Sequence, residues 1–144
     1  MTVVTLRVRD LATIADVTLE LGPGLNVLTG ETGAGKSMLV DALALLLGDR
    51  ADRAAIRPGA AKAVVEGVIE AVPPATRSRL EDAGVDAAES LIIRREVTTE
   101  GRSRAWLNGS PTTIRPRPRQ LPQRPAQAPA TNVCRVKSPS SKVP

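Results

Sequence analysis

GETGAGKS, residues 30–37, decides how this sequence is read. It fits the pattern G-x-x-x-x-G-K-[ST], and each fixed position has a mechanical reason. Gly30, Gly33 and Gly35 allow backbone conformations closed to residues with a Cβ, so successive N–H groups can turn inward around a phosphate. Lys36 places an ammonium on the outer phosphates of a nucleotide and Ser37 offers a hydroxyl to magnesium. The helix expected to start there adds the positive end of its dipole. A purely structural glycine turn would need neither Lys36 nor Ser37.

The flanks supply the context the motif requires. LNVLT, residues 25–29, is a short apolar strand running into Gly30, and the GPG turn at 22–24 precedes it. Upstream, TVVTLRV at 2–8 is rich in β-branched residues, and ADVTLEL at 15–21 alternates Val17, Leu19 and Leu21 with polar positions, so both read as strands. Downstream, KSMLVDALALLL at 36–47 is built of good helix formers, with Gly48 placed to end it. That helix is apolar on nearly every face and is expected to be covered on several sides. Asp41 within it reads as a hydrogen-bonded polar residue near the helix start.

A polar loop follows over residues 48–62. AVVEGVIEAV at 63–72 predicts a strand, TRSRLEDAG at 76–84 a short helix closed by Gly84, and residues 91–107 a hairpin turning at Thr99, Glu100 and Gly101. Asn108-Gly109 is a further tight turn. Trp106 on that hairpin reads as a core or interface residue rather than a base-stacking one. Of Arg94 and Arg95, which alternate across the strand, one is expected on a solvated face and one paired. Arg57, within IRPG, is either a phosphate or DNA contact or an ordinary loop arginine.

Charge divides the chain. Residues 1–114 hold 13 basic and all 15 acidic residues, a net charge of −2, whereas residues 115–144 hold 7 basic residues and no acid. The high pI therefore reflects the last thirty residues and gives no reason to assign nucleic-acid binding to the folded part. That tail also carries 7 of the 12 prolines and shows neither helical nor strand periodicity, so it is expected to be a disordered Pro/Arg-rich segment. Histidine is absent, which removes imidazole bases and His metal sites, and a lone Cys134 removes internal disulfides and CxxC metal sites. The longest apolar run is too short to span a bilayer, so no membrane partner and a cytoplasmic location are expected.

Set beside its neighbours, the loop resembles a known family. The "GLNVLTGETGAGKS" run, the "LATIADV" connection before it, "DALALLLGDR", "IRPGA" and the later "RREV…GRSRAWLNGSP" hairpin together resemble the opening of the RecN-type DNA repair proteins. These are SMC-like members of the ABC-type ATPases, and Glu31-Thr32 inside the loop is the most family-specific feature. The resemblance covers about residues 1–114. It implies an α/β fold, part of a P-loop NTPase head with a mixed sheet.

It also implies an ATP site made of Gly30, Glu31, Thr32, Gly33, Ala34, Gly35, Lys36 and Ser37, with Mg2+ on the Ser37 hydroxyl. A second head would sandwich the ATP, as in a homodimer, and DNA would be the partner in double-strand break repair and recombination. In such heads hydrolysis also needs a glutamine loop, a signature motif and a Walker B Asp-Glu pair, none of which occurs within these 144 residues. The chain is therefore expected to bind ATP without efficient turnover. The departure from the family begins near Arg115, and the tail has the composition of a GC-rich gene read out of frame. Other readings are a nonspecific nucleic-acid binder acting through the basic tail, a different SMC-like ABC ATPase, or a small P-loop kinase. In such a kinase the loop normally follows the first strand directly, whereas two strands precede it here.

Overall fold

Two adjacent hairpin-forming segments build the platform on which the glycine loop sits. In the computed structural model, which describes residues 2–31, 35–86, 89–113 and 131–134, β1 (Thr2–Leu11) and β2 (Ile14–Glu20) pair antiparallel. β4 (Lys62–Glu70), β5 (Ser90–Thr98), β6 (Ser103–Leu107) and β7 (Ser110–Thr112) extend the sheet, every pairing antiparallel, in the order β2-β1-β4-β5-β6-β7. The remaining strand, β3 (Leu25–Leu28), stands outside this sheet and leads into the loop. The helices are α1 (Lys36–Leu46) and α2 (Pro74–Asp82). Strand period 2 explains the division of faces. Leu6, Val8, Ala63, Val65 and Val97 are buried beneath α1, which contributes Leu39, Ala42 and Leu45 to the same core. Arg7, Glu66, Arg94 and Trp106 alternate onto the other face.

Turn chemistry matches the sequence expectation closely. Asn108 and Gly109 both have positive φ, 46° and 83°, as a two-residue mirror-image turn demands. Gly67 shows why a strand interior can need glycine: a Cβ there would lie 2.8 Å from Leu46 Cδ1, so the bare backbone lets α1 settle onto β4. A smaller core of Ile69, Val72 and Leu91 lies farther along the sheet, with Leu80 of α2 packed against it.

One expectation is corrected, after a point of agreement. The helix has an uncovered side: Val40 and Leu47 are 61% and 58% exposed, because the sheet reaches only the Leu39–Ala42–Leu45 face. The tail, read as having no element, contains β8 (Thr131–Cys134), which pairs in parallel with β3 from Leu25↔Thr131 to Leu28↔Cys134. Thr131 and Val133 are β-branched, and an isolated β3 would present an unpaired row of N–H and C=O groups, so a strand partner is physically favoured there. The molecule thus combines an antiparallel six-stranded sheet with a parallel two-stranded one.

Candidate phosphate-binding site

The chain enters the loop under tight control. Asn26 Oδ1 accepts the Gly22 N–H at 2.9 Å while its Nδ2 donates to the Gly22 carbonyl at 2.8 Å, a reciprocal clasp that fixes the turn before β3. At the exit, Gly35 caps α1 with φ 84°, a left-handed conformation that glycine adopts without steric cost. A Cβ on Gly35 would also come within 3.4 Å of Ile14 Cγ1, so the position is restricted both in backbone and in space. The Gly35 carbonyl accepts the Leu39 N–H at 3.1 Å, beginning the helical ladder.

The helix N-terminus is electrostatically prepared for an anion. Among the described residues, α1 has no side-chain N-cap hydrogen bond and no acidic residue in its first turn, which favours a negative group at its first amides and dipole. Lys36 Nζ donates to the Gly30 carbonyl and, at 2.7 Å, to the Glu31 carbonyl, drawing the two ends of the loop together. Ser37 is exposed one residue into the helix. Gly30, Glu31, Gly35, Lys36 and Ser37 are thus gathered at one end of α1. Thr32, Gly33 and Ala34, read as site residues from the motif, lie outside the described residues.

The β1–β2 turn ties this cradle to the arginine-bearing loop. Asp10 and Ala12 adopt positive φ, 52° and 49°, which costs a non-glycine residue on the order of 1–3 kcal/mol and persists only where surroundings enforce it. Here the Ala12 N–H donates to the Ala55 carbonyl at 2.6 Å, and the Arg57 N–H donates to the Asp10 carbonyl at 2.9 Å. A Leu11↔Ile56 bridge, both residues buried, completes the bracket. Ile14, from the same turn, is the residue that packs on Gly35. Arg57 itself is exposed, anchored through its backbone to the wall of the cradle.

Three other residues read from the sequence fall elsewhere. Asp41 is exposed and, among the described residues, its side chain makes no hydrogen bond, so it is not the bonded residue expected. Trp106 is half-buried on the open face of the sheet, with the Arg94 guanidinium 5.7 Å from its ring centroid. Arg94 is also ion-paired with Glu96, which Lys62 reaches at 3.1 Å. Glu96 is held below the usual carboxylate range: burial pushes it up, but hydrogen bonds from Lys62 and Arg94 together outweigh that. Arg95 was expected to be solvated or paired and is neither. It is 4% exposed and donates from Nη1 to the Leu45 carbonyl and, at 2.7 Å, to the Asp49 carbonyl. It supplies the cation that the last turn of α1 lacks.

A phosphate-type loop between β3 and α1, flanked by an antiparallel sheet, is also what similarity to known proteins returns. Residues 5–115 match the family described as "AAA domain". The chain belongs to that family. Among individual AAA-domain relatives, the DNA repair protein RecN of Streptomyces coelicolor is 53% identical over 107 residues, covering 72% of this chain and 18% of that protein. The chain thus spans about a fifth of the length of the curated relatives it matches. In three dimensions it is similar to an SMC ATPase studied for ATP-driven dimerisation and DNA-stimulated activation, with a TM-score of 0.65 at 24% identity over 79% of this chain and 74% of the other. It is also similar to an SMC head bound to the C-terminal winged-helix domain of ScpA, with a TM-score of 0.64 at 25% identity over 79% of this chain and 37% of that one. The fold is that of an SMC/ABC ATPase head, and the RecN resemblance read from the loop is borne out.

Sequence reasoning missed Ile14, Asn26 and Arg95 as members of this AAA-domain architecture. Asn26 had a signal, since an amide side chain just after Gly-Pro-Gly is placed to close a turn. Ile14 and Arg95 had none. Their roles arise from contacts with residues 21 and 50 positions away.

Proposed function

We propose that this chain binds ATP through Gly30–Ser37, as the N-terminal part of a DNA-repair ATPase head of RecN type. The observation that carries the reading is the Gly35–Lys36 junction. A left-handed glycine there delivers an uncapped helix N-terminus, and beside it a lysine ammonium is held to the loop carbonyls of Gly30 and Glu31. Phosphates entering the loop would compete for that ammonium and take up the free amides of the first turn. Thr32, Gly33 and Ala34 would contribute further amides, and the exposed Ser37 hydroxyl would ligate magnesium carried by the nucleotide. The bound nucleotide supplies the phosphoanhydride bonds, while this chain's own groups bind and orient them.

Arg57 belongs to the same reading. Its segment is fastened to the Asp10–Ile14 bracket, and so to the wall of the cradle, from which a guanidinium serves as a phosphate or DNA contact. Residues 1–114 form the head portion and residues 115–144 a tail of different composition that lends β8 to β3, a division supported by the change in composition at Arg115. The 144-residue chain binds ATP without efficient hydrolysis, because a lysine and a ring of amides hold phosphates but do not position an attacking water. In the longer proteins it resembles, the partners we assign are a second head across the ATP and DNA undergoing break repair, in the cytoplasm. No helix among the described residues is long and apolar enough to cross a membrane.

Binding of a fluorescent ATP analogue with magnesium tests the assignment. Lys36→Ala is expected to weaken it at least tenfold while leaving the melting temperature unchanged, since the lysine bonds only exposed loop carbonyls. Equal affinity in the variant overturns the reading. A magnesium-dependent ATPase rate well above background, lost in Lys36→Ala, overturns the claim of binding without turnover.

A further inference from the structure

Leu11 and Ile14 are the last pair of the β1–β2 ladder, closing a turn at Ala12 and Thr13, and the backbone on both sides of Leu11 is strained, with φ of 52° at Asp10 and 49° at Ala12. Glycine takes that region without steric cost, whereas alanine pays for it and has no polar side chain to compensate. What the strain secures is a pair of hydrogen bonds running in opposite directions. The Ala12 N–H donates to the Ala55 carbonyl at 2.6 Å, and the Arg57 N–H donates to the Asp10 carbonyl at 2.9 Å. Among the described residues, these two bonds fasten residues 52–60 to the rest of the chain. The others in that loop stay inside it, such as Ala54 N–H to Asp52 Oδ1 and Ala60 N–H to the Arg57 carbonyl.

The same turn reaches the glycine loop from its other side. Ile14 is 8% exposed, and a Cβ on Gly35 would lie 3.4 Å from its Cγ1 and 3.6 Å from its Cδ1. Gly35 is the left-handed residue that starts α1, and Leu11, Ile14 and Ile56 share one core with Leu39 of that helix. The stretch from Asp10 to Ile14 therefore grips the Arg57 segment by its backbone and the helix N-terminus by a side chain.

We propose that Ala12 and Ile14 are positioning residues: the strained turn holds Arg57 and the amides of the glycine loop at one fixed separation, so that both engage the phosphates of a single nucleotide. This rests on the ATP reading given above and adds residues that touch no ligand. Groups that must each be ordered when the ligand arrives lose free energy at that moment, whereas groups held in register have already lost it on folding. Strained non-glycine backbone persists where the surroundings enforce it, and here it is enforced from both sides of the site. A glycine at position 12 would relieve the strain and with it the restriction, leaving the Arg57 loop to move independently of Gly35.

Binding of a fluorescent ATP analogue with magnesium is measured on the full chain for the parent, Ala12→Gly, Arg57→Ala and the double variant. Ala12→Gly is expected to weaken binding roughly three- to tenfold, with a melting temperature equal to or above that of the parent, since it relieves strain and empties no core. Arg57→Ala should weaken binding by a similar factor. The double variant should be no weaker than either alone, because an arginine no longer held in place has nothing left to lose. Ile14→Ala should reproduce the loss and Ile14→Val should restore most of it. Parent-like affinity in Ala12→Gly, or losses that multiply in the double variant, would overturn the proposal. A parent chain that does not bind the analogue overturns the ATP reading itself, a result distinct from either. The mechanical link is read without nucleotide. Hydrogen exchange at the Ala12 and Arg57 amides should quicken in Gly35→Ala, whose methyl presses on Ile14, while amides of the β1–β4 ladder around Val8 and Val65 stay as slow as in the parent. Unchanged exchange at Ala12 and Arg57 would also overturn it.

Discussion

The six-stranded sheet and the β3–α1 unit are made from the same stretch of chain but stand on different footings. In the sheet, β1, β2, β4, β5, β6 and β7 pair antiparallel in near-sequential order, and Val8 and Val65 are fully enclosed beneath the helix. In the β3–α1 unit the strand has, among the described residues, one partner, the short β8, while Leu25, Val40 and Leu47 lie more than half exposed. Hairpins close their own hydrogen bonds locally, whereas a parallel pair needs a partner brought from far along the chain. The proposed nucleotide cradle is therefore built on the part of the molecule with the least local support, and it depends on the sheet below it.

Substitutions can break that dependence or sharpen it. The largest effect is expected from Leu6→Ala, which empties a buried position shared by β1 and the α1 core and should cost about 3 kcal/mol of stability. Chemical denaturation should show one transition moving for sheet and helix together. Separate transitions would mean the two regions are independent. Arg95→Met comes next: it leaves the Leu45 and Asp49 carbonyls without their donor at the C-terminus of α1, at a cost of about 2 kcal/mol, read in the same experiment.

Acid should act on the open face of the sheet and spare the cradle. Glu96 titrates below its ordinary value of 4.5 in the folded chain, so its contribution is complete above that pH and is lost as pH falls through the lowered folded value. The loss should be about 1 kcal/mol for this partly exposed pair network, and Glu96→Gln should flatten the acid limb of a stability–pH profile. The smallest effect belongs to Val40→Ser on the uncovered side of α1, expected within about 0.5 kcal/mol of the parent. Its benefit should be seen in light scattering as reduced association, because it dilutes an exposed apolar stripe. A cost of several kcal/mol there would show that this face is covered after all.

Most of the element sequence was legible beforehand because it is carried by local rules. β-branched content marked β1, alternation marked β2, an apolar run marked β4, a hairpin pattern marked β5 and β6, Asn108-Gly109 marked the turn after β6, and the apolar run from Met38 marked α1. Within the site, Lys36 and Gly35 were legible because phosphate loops constrain a few consecutive residues. The tail strand at Thr131–Cys134 was not, since four residues among prolines carry no period and are recruited by the free edge of β3. Asp41 was misread for a related reason: whether a polar residue on a helix finds a partner depends on what lies opposite it.

The sequence by itself determined the glycine-loop motif, the strand–loop–helix order around it, and membership in a RecN-like head, because each is written in contiguous residues. Only the tertiary structure decided that Ile14 closes over Gly35, that the Asp10–Ala12 backbone holds the Arg57 segment, and that Arg95 is spent on the end of α1. Those are pairings between residues far apart in the chain. They are fixed by where the antiparallel sheet places each strand beneath the helix, and no local pattern encodes that.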